Sequence, residues 1–492
     1  MSGAQPAQHS DIAALAKGGR TNVAGFFIRL IARIPFLIIG GQWYGAEALG
    51  RLAYAIVIVE FAAQIATLGL KRGLALHLAH DDHKNGAWDG LLVVLAATLL
   101  PTILLMIVPQ MMFPNSVIKP LDYLLPLVIP AFALTDILLA ALAYKFNVRA
   151  TVTARAVIEP WTISIAAIVL WWWVPSDGLI IAYALSIGAA LVSAIVSFLH
   201  SYGLPRGWKP RPIELFALAR RNAPLAAADA IEWATRRLDI AILGLFVSPA
   251  TVGIYWVAQQ VASLPQKLKT SFDPVLGPVI IAKLEEGDRA AIARQISQVG
   301  FWILAAQAGI ALGLGIPAQA LLGLVGPNGS FIVGTGALAL LLLAEVTASP
   351  AVVSEAALVY VARYRNLLVS CAMIALQGLL SLLFLVTLER RGYSEAWMAA
   401  GVAAALAIAL GMGSIVKARL ATHVLGARVS TWRWPIVTAA AAAVLVGQLF
   451  IRLPEWVELL IGIPSILGVY CWMIWTRGFK EDDRILFRKA TG

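Results

Sequence analysis

The chain is 492 residues long, carries a formal net charge of +11, and is 60% hydrophobic with only 13% charged residues. Its mean hydropathy of +0.81 and its apolar share lie well above the roughly 45–50% apolar content of soluble domains, which excludes a protein whose main solvent is water. The alternating segments of about ten residues that a membrane β-barrel requires are also absent.

Residues 1–19 are polar and rich in Ala and Gln, and are expected to form a cytoplasmic tail. The first apolar run is interrupted by Arg29 and Arg33, a pattern foreign to a cleavable signal peptide, so this helix is expected to be retained. Breaks at Pro, Gly, Asn and charge clusters define runs near 21–41, 47–70, 88–112, 121–143, 156–174, 179–202, 222–247, 252–282, 297–318, 334–361, 367–388, 396–416, 435–451 and 456–476. A helical run of about twenty residues crosses a hydrocarbon core of about 30 Å, and helix satisfies every backbone group without a partner strand. The predicted fold class is all-α integral membrane, with about fourteen transmembrane helices.

An inside N-terminus places 29 of the 38 Lys and Arg in cytoplasmic segments, five outside and four within the bilayer. That asymmetry predicts both ends in the cytoplasm. The positive balance then reflects topology and contact with anionic lipids, and no nucleic acid is needed to explain it. Cys371 and Cys471 fall in apolar runs without metal or redox spacing, and are expected to be small core residues.

The Pro-rich stretch Gly203–Pro212 divides the chain into an N-lobe at 20–203 and a C-lobe at 222–416, six helices each, joined by a cytoplasmic linker at 204–221. A shift of 203 residues aligns Arg33 with Arg236 and Gly50 with Gly253. Six spans preserve orientation, so the lobes read as a parallel pseudo-repeat of the kind that rocks about a central site. A basic, aromatic cytoplasmic loop at 417–434 suits inner headgroups. An extra C-terminal helix pair at 435–477 follows, then a cytoplasmic tail at 478–492.

Arg29 and Arg33 lie four apart on one face of the first span. A central Arg costs about 2.5–3.5 kcal/mol on insertion scales, so such a face is expected to border water or a counter-charge. The seventh span carries Asp229, Glu232, Arg236, Arg237 and Asp239. In one reading Arg29, Arg33, Arg236 and Arg237 bind an anionic substrate, since planar guanidiniums take phosphate oxygens in pairs. In the other, Arg236 and Arg237 pair with Asp229, Glu232 or Asp239, and the first-span arginines neutralise Glu60 or Asp136. Glu60, Asp136, Asp239 and Glu345 are candidates for binding a coupling ion; Glu159, Asp273 and Glu355 fall nearer span ends.

His77, His80 and His83 with Asp81 and Asp82 have metal-like spacing but sit at a helix end, and no metal or cofactor is expected. Trp171–Trp173 reads as an interfacial belt. No nucleotide loop or nucleophile–base set is present, and no outside segment is long enough for a catalytic domain, so an enzyme is not expected.

The segments Leu15-Ala-Lys-Gly-Gly-Arg-Thr-Asn22, Ile31-Ala-Arg-Ile-Pro35, Gly45-Ala-Glu-Ala-Leu-Gly50 and Leu68-Gly-Leu-Lys-Arg-Gly-Leu-Ala75 resemble the opening of Wzx-type polysaccharide biosynthesis flippases, of the multidrug/oligosaccharidyl-lipid/polysaccharide exporter superfamily. The resemblance implies translocation of polyprenyl-pyrophosphate-linked oligosaccharide across a bacterial inner membrane, for lipopolysaccharide, capsule or exopolysaccharide. It also implies arginines on the first helix in a cationic cavity, with envelope glycan polymerases or ligases as partners. A cation-coupled multidrug exporter and a lipid II flippase are the alternatives within the superfamily.

Overall fold

A computed structural model of the chain describes residues 34–80, 85–270, 280–281, 283–480 and 483. Arg29 and Arg33 lie outside the described residues, as do Asp81, Asp82, His83 and Asp273. The described residues contain helices and no strand. After α1 (residues 34–44, ending in the π-turn Gly40–Tyr44) come α2 (Gly45–Ala66) and a short helix, Leu70–His80. They are followed by α3 (Gly86–Ile107), α4 (Val128–Tyr144), α5 (Val148–Trp171), α6 (Gly178–Tyr202), α7 (Pro212–Leu243) and α8 (Pro249–Thr270). The remainder are α9 (Arg289–Gly315), α10 (Thr335–Val361), α11 (Arg363–Arg390), α12 (Glu395–Leu425), α13 (Pro435–Phe450) and α14 (Glu455–Gly478).

Each predicted run coincides with one of these helices where it is described. Ten helices among the described residues are long and apolar enough to cross a membrane, with Ile34–Ala79 counted as one. Within that stretch Gly45 (φ +82°) separates α1 from α2. Charge keeps α7 out of the ten, Gln and Ser dilute α8, and α13 is shorter, at 16 residues. The protein is a multi-pass membrane protein. Its outer surface agrees: Leu99, Leu100, Ile103 and Ile107 of α3 and Leu368, Leu379 and Leu383 of α11 are exposed. Apolar stripes of this size are intolerable in water and at home in lipid.

Two compact units divide the chain, 1–237 with 248–253, and 238–247 with 254–492. In the first, α2 is the central post, with Leu49, Leu52, Ala53, Ala55 and Val59 fully or almost fully buried. Its start meets the segment Ser248–Gly253 of the same unit. A Cβ on Gly50 would stand 1.6 Å from the Pro249 carbonyl oxygen, and one on Gly253 2.1 Å from that of Ala46. Small residues let helix backbones touch where lipid supplies no hydrophobic force between them. The two glycines aligned by the 203-residue shift are therefore each other's packing partners. At the far end α2 stops in a left-handed turn, Leu68 (φ 51°) and Gly69 (φ 74°). A Cβ on Gly69 would meet the α7 backbone at Asn222 O and Ala226 N, both 2.6 Å away. The Leu-Gly-Leu motif is thus a turn pressed against α7, and glycine alone meets both of its demands.

In the second unit Ile292, Ile296, Val353, Leu358, Ala421 and Leu425 knit α9, α10 and α12 together. The pair α13–α14 packs on α9 through Phe301, Ala308, Ala439, Ala443 and Tyr470. The Tyr470 hydroxyl donates to the Ala305 carbonyl at 2.9 Å. Helix α12 continues nine residues past its expected end at 416, so Lys417 is buried in it and only the residues after Leu425 form the loop. Burial is possible because its ammonium donates to Glu355 Oε2 (3.1 Å) and Ser370 Oγ (3.0 Å). Cys371 of α11 and Cys471 of α14 are exposed, contrary to the expected core placement. Hydropathy marks a thiol as apolar but does not distinguish a core from lipid.

Beyond α14, Asp483 fastens the chain. Its carboxylate accepts from Arg433 Nη1 (2.6 Å), Trp302 Nε1 (3.0 Å), Gln298 Nε2 (3.1 Å) and the Lys480 backbone N–H (2.8 Å). Arg433 also lies over the Phe301 ring at 3.9 Å. Burial pushes the Asp483 carboxyl up, but the hydrogen bonds and the Arg433 charge outweigh it and hold the carboxyl below its usual range.

Two measurements check these arrangements. Gly50→Ala is expected to cost about 1–3 kcal/mol through overpacking, read as a lower melting temperature in detergent, while Gly188→Ala, with nothing near its added methyl, does not destabilise. A depressed carboxylate contributes stability that is complete above its unfolded value near 3.9 and is lost as pH falls through the lower folded value. Hydrogen exchange at 478–480, corrected for intrinsic rate, should therefore stay slow down to about pH 4 and rise below it, whereas Asp483→Asn should raise it at neutral pH.

Candidate functional site

In the first unit α4, α5, α7 and the Leu70–His80 helix bring eight ionisable side chains together. The left-handed turn at Leu68–Gly69 lets the chain restart at Leu70 beside α7, bringing Lys71 within reach of Asp136 and Arg72 within reach of Asp229. Asp136 of α4 is buried and accepts a short hydrogen bond from Arg155 Nη2, with Lys71 Nζ at 3.0 Å. Arg155 rises from the π-turn Thr153–Ile158 of α5, donates to Glu159 Oε2 at 2.7 Å, and lies over Phe132 at 4.3 Å. Nearby in sequence terms on α2, Glu60 Oε1 is 3.5 Å from the Tyr183 hydroxyl.

Arg72 joins this group to α7. Its Nε is 2.7 Å from Asp229 Oδ1 and its Nη2 2.5 Å from Glu232 Oε2, while Arg236 Nη2 reaches Glu232 Oε1 at 3.0 Å. Asp229 is buried, whereas Arg72, Glu232 and Arg236 are exposed and Arg237 is half-buried. Seven helical residues thus separate Asp229 from Arg236, two turns on one face. Trp233 and Phe61, with ring centroids 4.3 Å apart, brace α7 against α2.

Of the predicted residues, Glu60, Asp136, Arg236 and Arg237 lie in this first unit, and Arg29 and Arg33 lie outside the described residues. Asp239 and Glu345 belong to the second unit. There Asp239 is buried and accepts from the Tyr255 hydroxyl (2.8 Å) and Gln259 Nε2 (2.9 Å). Glu345 is half-buried on α10, and its carbonyl accepts from Ser349 Oγ at 3.4 Å. Lys71, Arg72 and Arg155 were counted with the cytoplasmic charges in the sequence; the available signal for the first two was the Leu68-Gly-Leu turn just before them. No group of three or more His, Cys, Asp or Glu able to hold a metal occurs among the described residues.

The sequence profile described as polysaccharide biosynthesis protein matches residues 18–282, more than half of the chain. The chain belongs to that family. No curated protein sequence matches it. Among solved structures, an inward-closed conformation of the lipid II flippase MurJ is similar at 13% identity and a TM-score of 0.72, covering 95% of this chain and 98% of that one. An inward-facing multidrug resistance MATE transporter of the MOP superfamily is similar at 12% identity and 0.61, covering 81% and 94%. A MOP superfamily transporter from Pyrococcus furiosus, described as having a binding pocket of reverse polarity, is similar at 13% identity and 0.57, covering 84% and 95%. At these identities the likeness is one of fold. This member of the polysaccharide biosynthesis family therefore has the fold of MOP superfamily transporters and flippases.

Asp136 and Arg155 form the pair whose loss leaves a buried charge unanswered. Asp136→Ala is expected to cost about 3–5 kcal/mol, and Lys71→Ala, whose ammonium is 45% exposed, less than about 1 kcal/mol. Thermal unfolding of detergent-solubilised protein followed by size exclusion separates the two.

Proposed function

We propose that the protein is a flippase that moves polyprenyl-pyrophosphate-linked oligosaccharide from the inner to the outer leaflet of a bacterial inner membrane by alternating access, with both termini in the cytoplasm. The observation that carries the reading is the family match, joined to arginines that the sequence sets within apolar runs. A sugar-pyrophosphate headgroup cannot cross apolar lipid unaided. Guanidiniums on the first and seventh spans, Arg29, Arg33, Arg236 and Arg237, answer its charge while the polyprenyl tail stays in the bilayer. Release on the far side requires a second conformation of lower affinity. Glu60, Asp136, Asp239 or Glu345 couples that change to an ion, and glycan polymerases or ligases receive the product.

A multidrug exporter needs carboxylates available for organic cations. Asp136, a buried acid of the first unit's cluster, is already neutralised by Arg155 and Lys71, which argues against that cargo. Lipid II is the second reading, favoured by the near-complete coverage of the lipid II flippase fold.

Arg29→Ala and Arg33→Ala proteins, confirmed by immunoblot to be stably inserted, should lose at least about tenfold of glycan export, the scale of one charge-assisted hydrogen bond. Complementation of strains lacking an oligosaccharide flippase, beside strains lacking lipid II translocation, tells the two cargoes apart. Full export by both variants would show that Arg29 and Arg33 are not the substrate site.

A further inference from the structure

Glu232 stands between two guanidiniums. One carboxylate oxygen faces Arg72 Nη2 at 2.5 Å and the other faces Arg236 Nη2 at 3.0 Å. The side chains of Arg72, Glu232 and Arg236 are 49%, 50% and 48% exposed, so the bridge is not sealed within the protein. An anion shared this way, one oxygen per guanidinium, is also how two arginines hold a phosphate group.

Arg72 does not depend on Glu232 for its position. Its Nε is held at 2.7 Å by Asp229, whose side chain is only 2% exposed. The two acids, three residues apart on α7, are therefore unequal. Asp229 is the fixed anchor, since breaking an enclosed pair strands a charge. Glu232 is the exchangeable partner, because exposed ion pairs contribute little and yield to a competing anion. A diphosphate carries more charge than a carboxylate and offers oxygens to both arginines at once, so exchange favours it.

We propose that Arg72 and Arg236 form a seat for a diphosphate group and that Glu232 is a built-in placeholder anion, displaced when the cargo binds and restored when it leaves. The identity of the cargo as a carrier-lipid diphosphate rests on the flippase reading; the seat itself is made of residues other than Arg29 and Arg33. In the empty protein the placeholder shares its carboxylate between the two guanidiniums. During release it competes with the cargo, lowering affinity without a new binding partner. Sequence alone offers Glu232 as a pairing partner of Arg236; the structure adds Arg72 as its second.

The test uses full-length protein in phosphatidylcholine nanodiscs, titrated calorimetrically with inorganic pyrophosphate and, separately, with farnesyl diphosphate. Glu232→Gln should bind both about tenfold more tightly than the unaltered protein. Arg72→Ala should bind both at least about tenfold more weakly, and Arg72→Lys, which keeps the charge and loses the fork, should fall between them. Arg72→Lys keeps the test decisive if Arg72→Ala does not fold. Weaker or unchanged binding in a folded Glu232→Gln protein overturns the proposal, because a purely structural bridge gives that result. Absence of diphosphate binding to the unaltered protein overturns it too, as does equal competition by phosphatidylglycerol, which would mark a general lipid-headgroup surface. Failure of the unaltered protein to restore glycan export, with diphosphate binding still set by Arg72 and Glu232, would sink the flippase reading and leave the seat standing. The converse would sink the seat alone.

Discussion

A charge held among lipid-facing helices has to be answered within a few ångströms, because the surrounding hydrocarbon offers it nothing. This requirement organises the molecule. Asp136 is answered by Arg155 and Lys71, Asp229 by Arg72, and Lys417 by Glu355 and Ser370. Each pairing joins segments distant in sequence, and so also sets which helices lie side by side. In a soluble protein replacing a buried pair by apolar residues is often neutral or stabilising. The retention of such pairs here, together with half-exposed arginines on α7, is consistent with a protein that handles an anionic group inside an apolar shell.

The helices were legible because the membrane imposes length and apolarity on each run, and those properties are local. Their partners were not. Lys71 and Arg72 follow an apolar span and read as a cytoplasmic flank. The left-handed turn at Leu68–Gly69 instead folds them back beside α7. Lys417 reads as the first residue of a basic loop, yet α12 carries it onward to a carboxylate sixty-two positions away. Positive charge near a span end follows the inside rule whether it touches headgroups or a buried acid, so composition cannot separate the two. The likeness of the N-terminal motifs to polysaccharide flippases, by contrast, was carried by residues in direct succession and agrees with the family to which the chain belongs.

The glycines show a middle case. Gly50 and Gly253 stand out as corresponding positions under a 203-residue shift, and the structure makes them mutual contacts, Cβ-free on both sides. Internal similarity pointed to the correct pair of residues, while the reason for their small size, two helix backbones in contact, required coordinates. The same applies to Arg236. Its neighbour Glu232 was visible as an i, i+4 partner, and the second guanidinium on that acid came from another helix.

Cys371 and Cys471, the two cysteines of the chain, are both exposed, on the apolar helices α11 and α14. The native protein thus already carries one thiol handle on each of two span-length helices. Labelling by reagents that partition into acyl chains, set against labelling by water-soluble maleimides, reports which solvent each thiol meets. Immersion depth and detergent coverage of α11 and α14 can therefore be followed without deleting or adding a single cysteine.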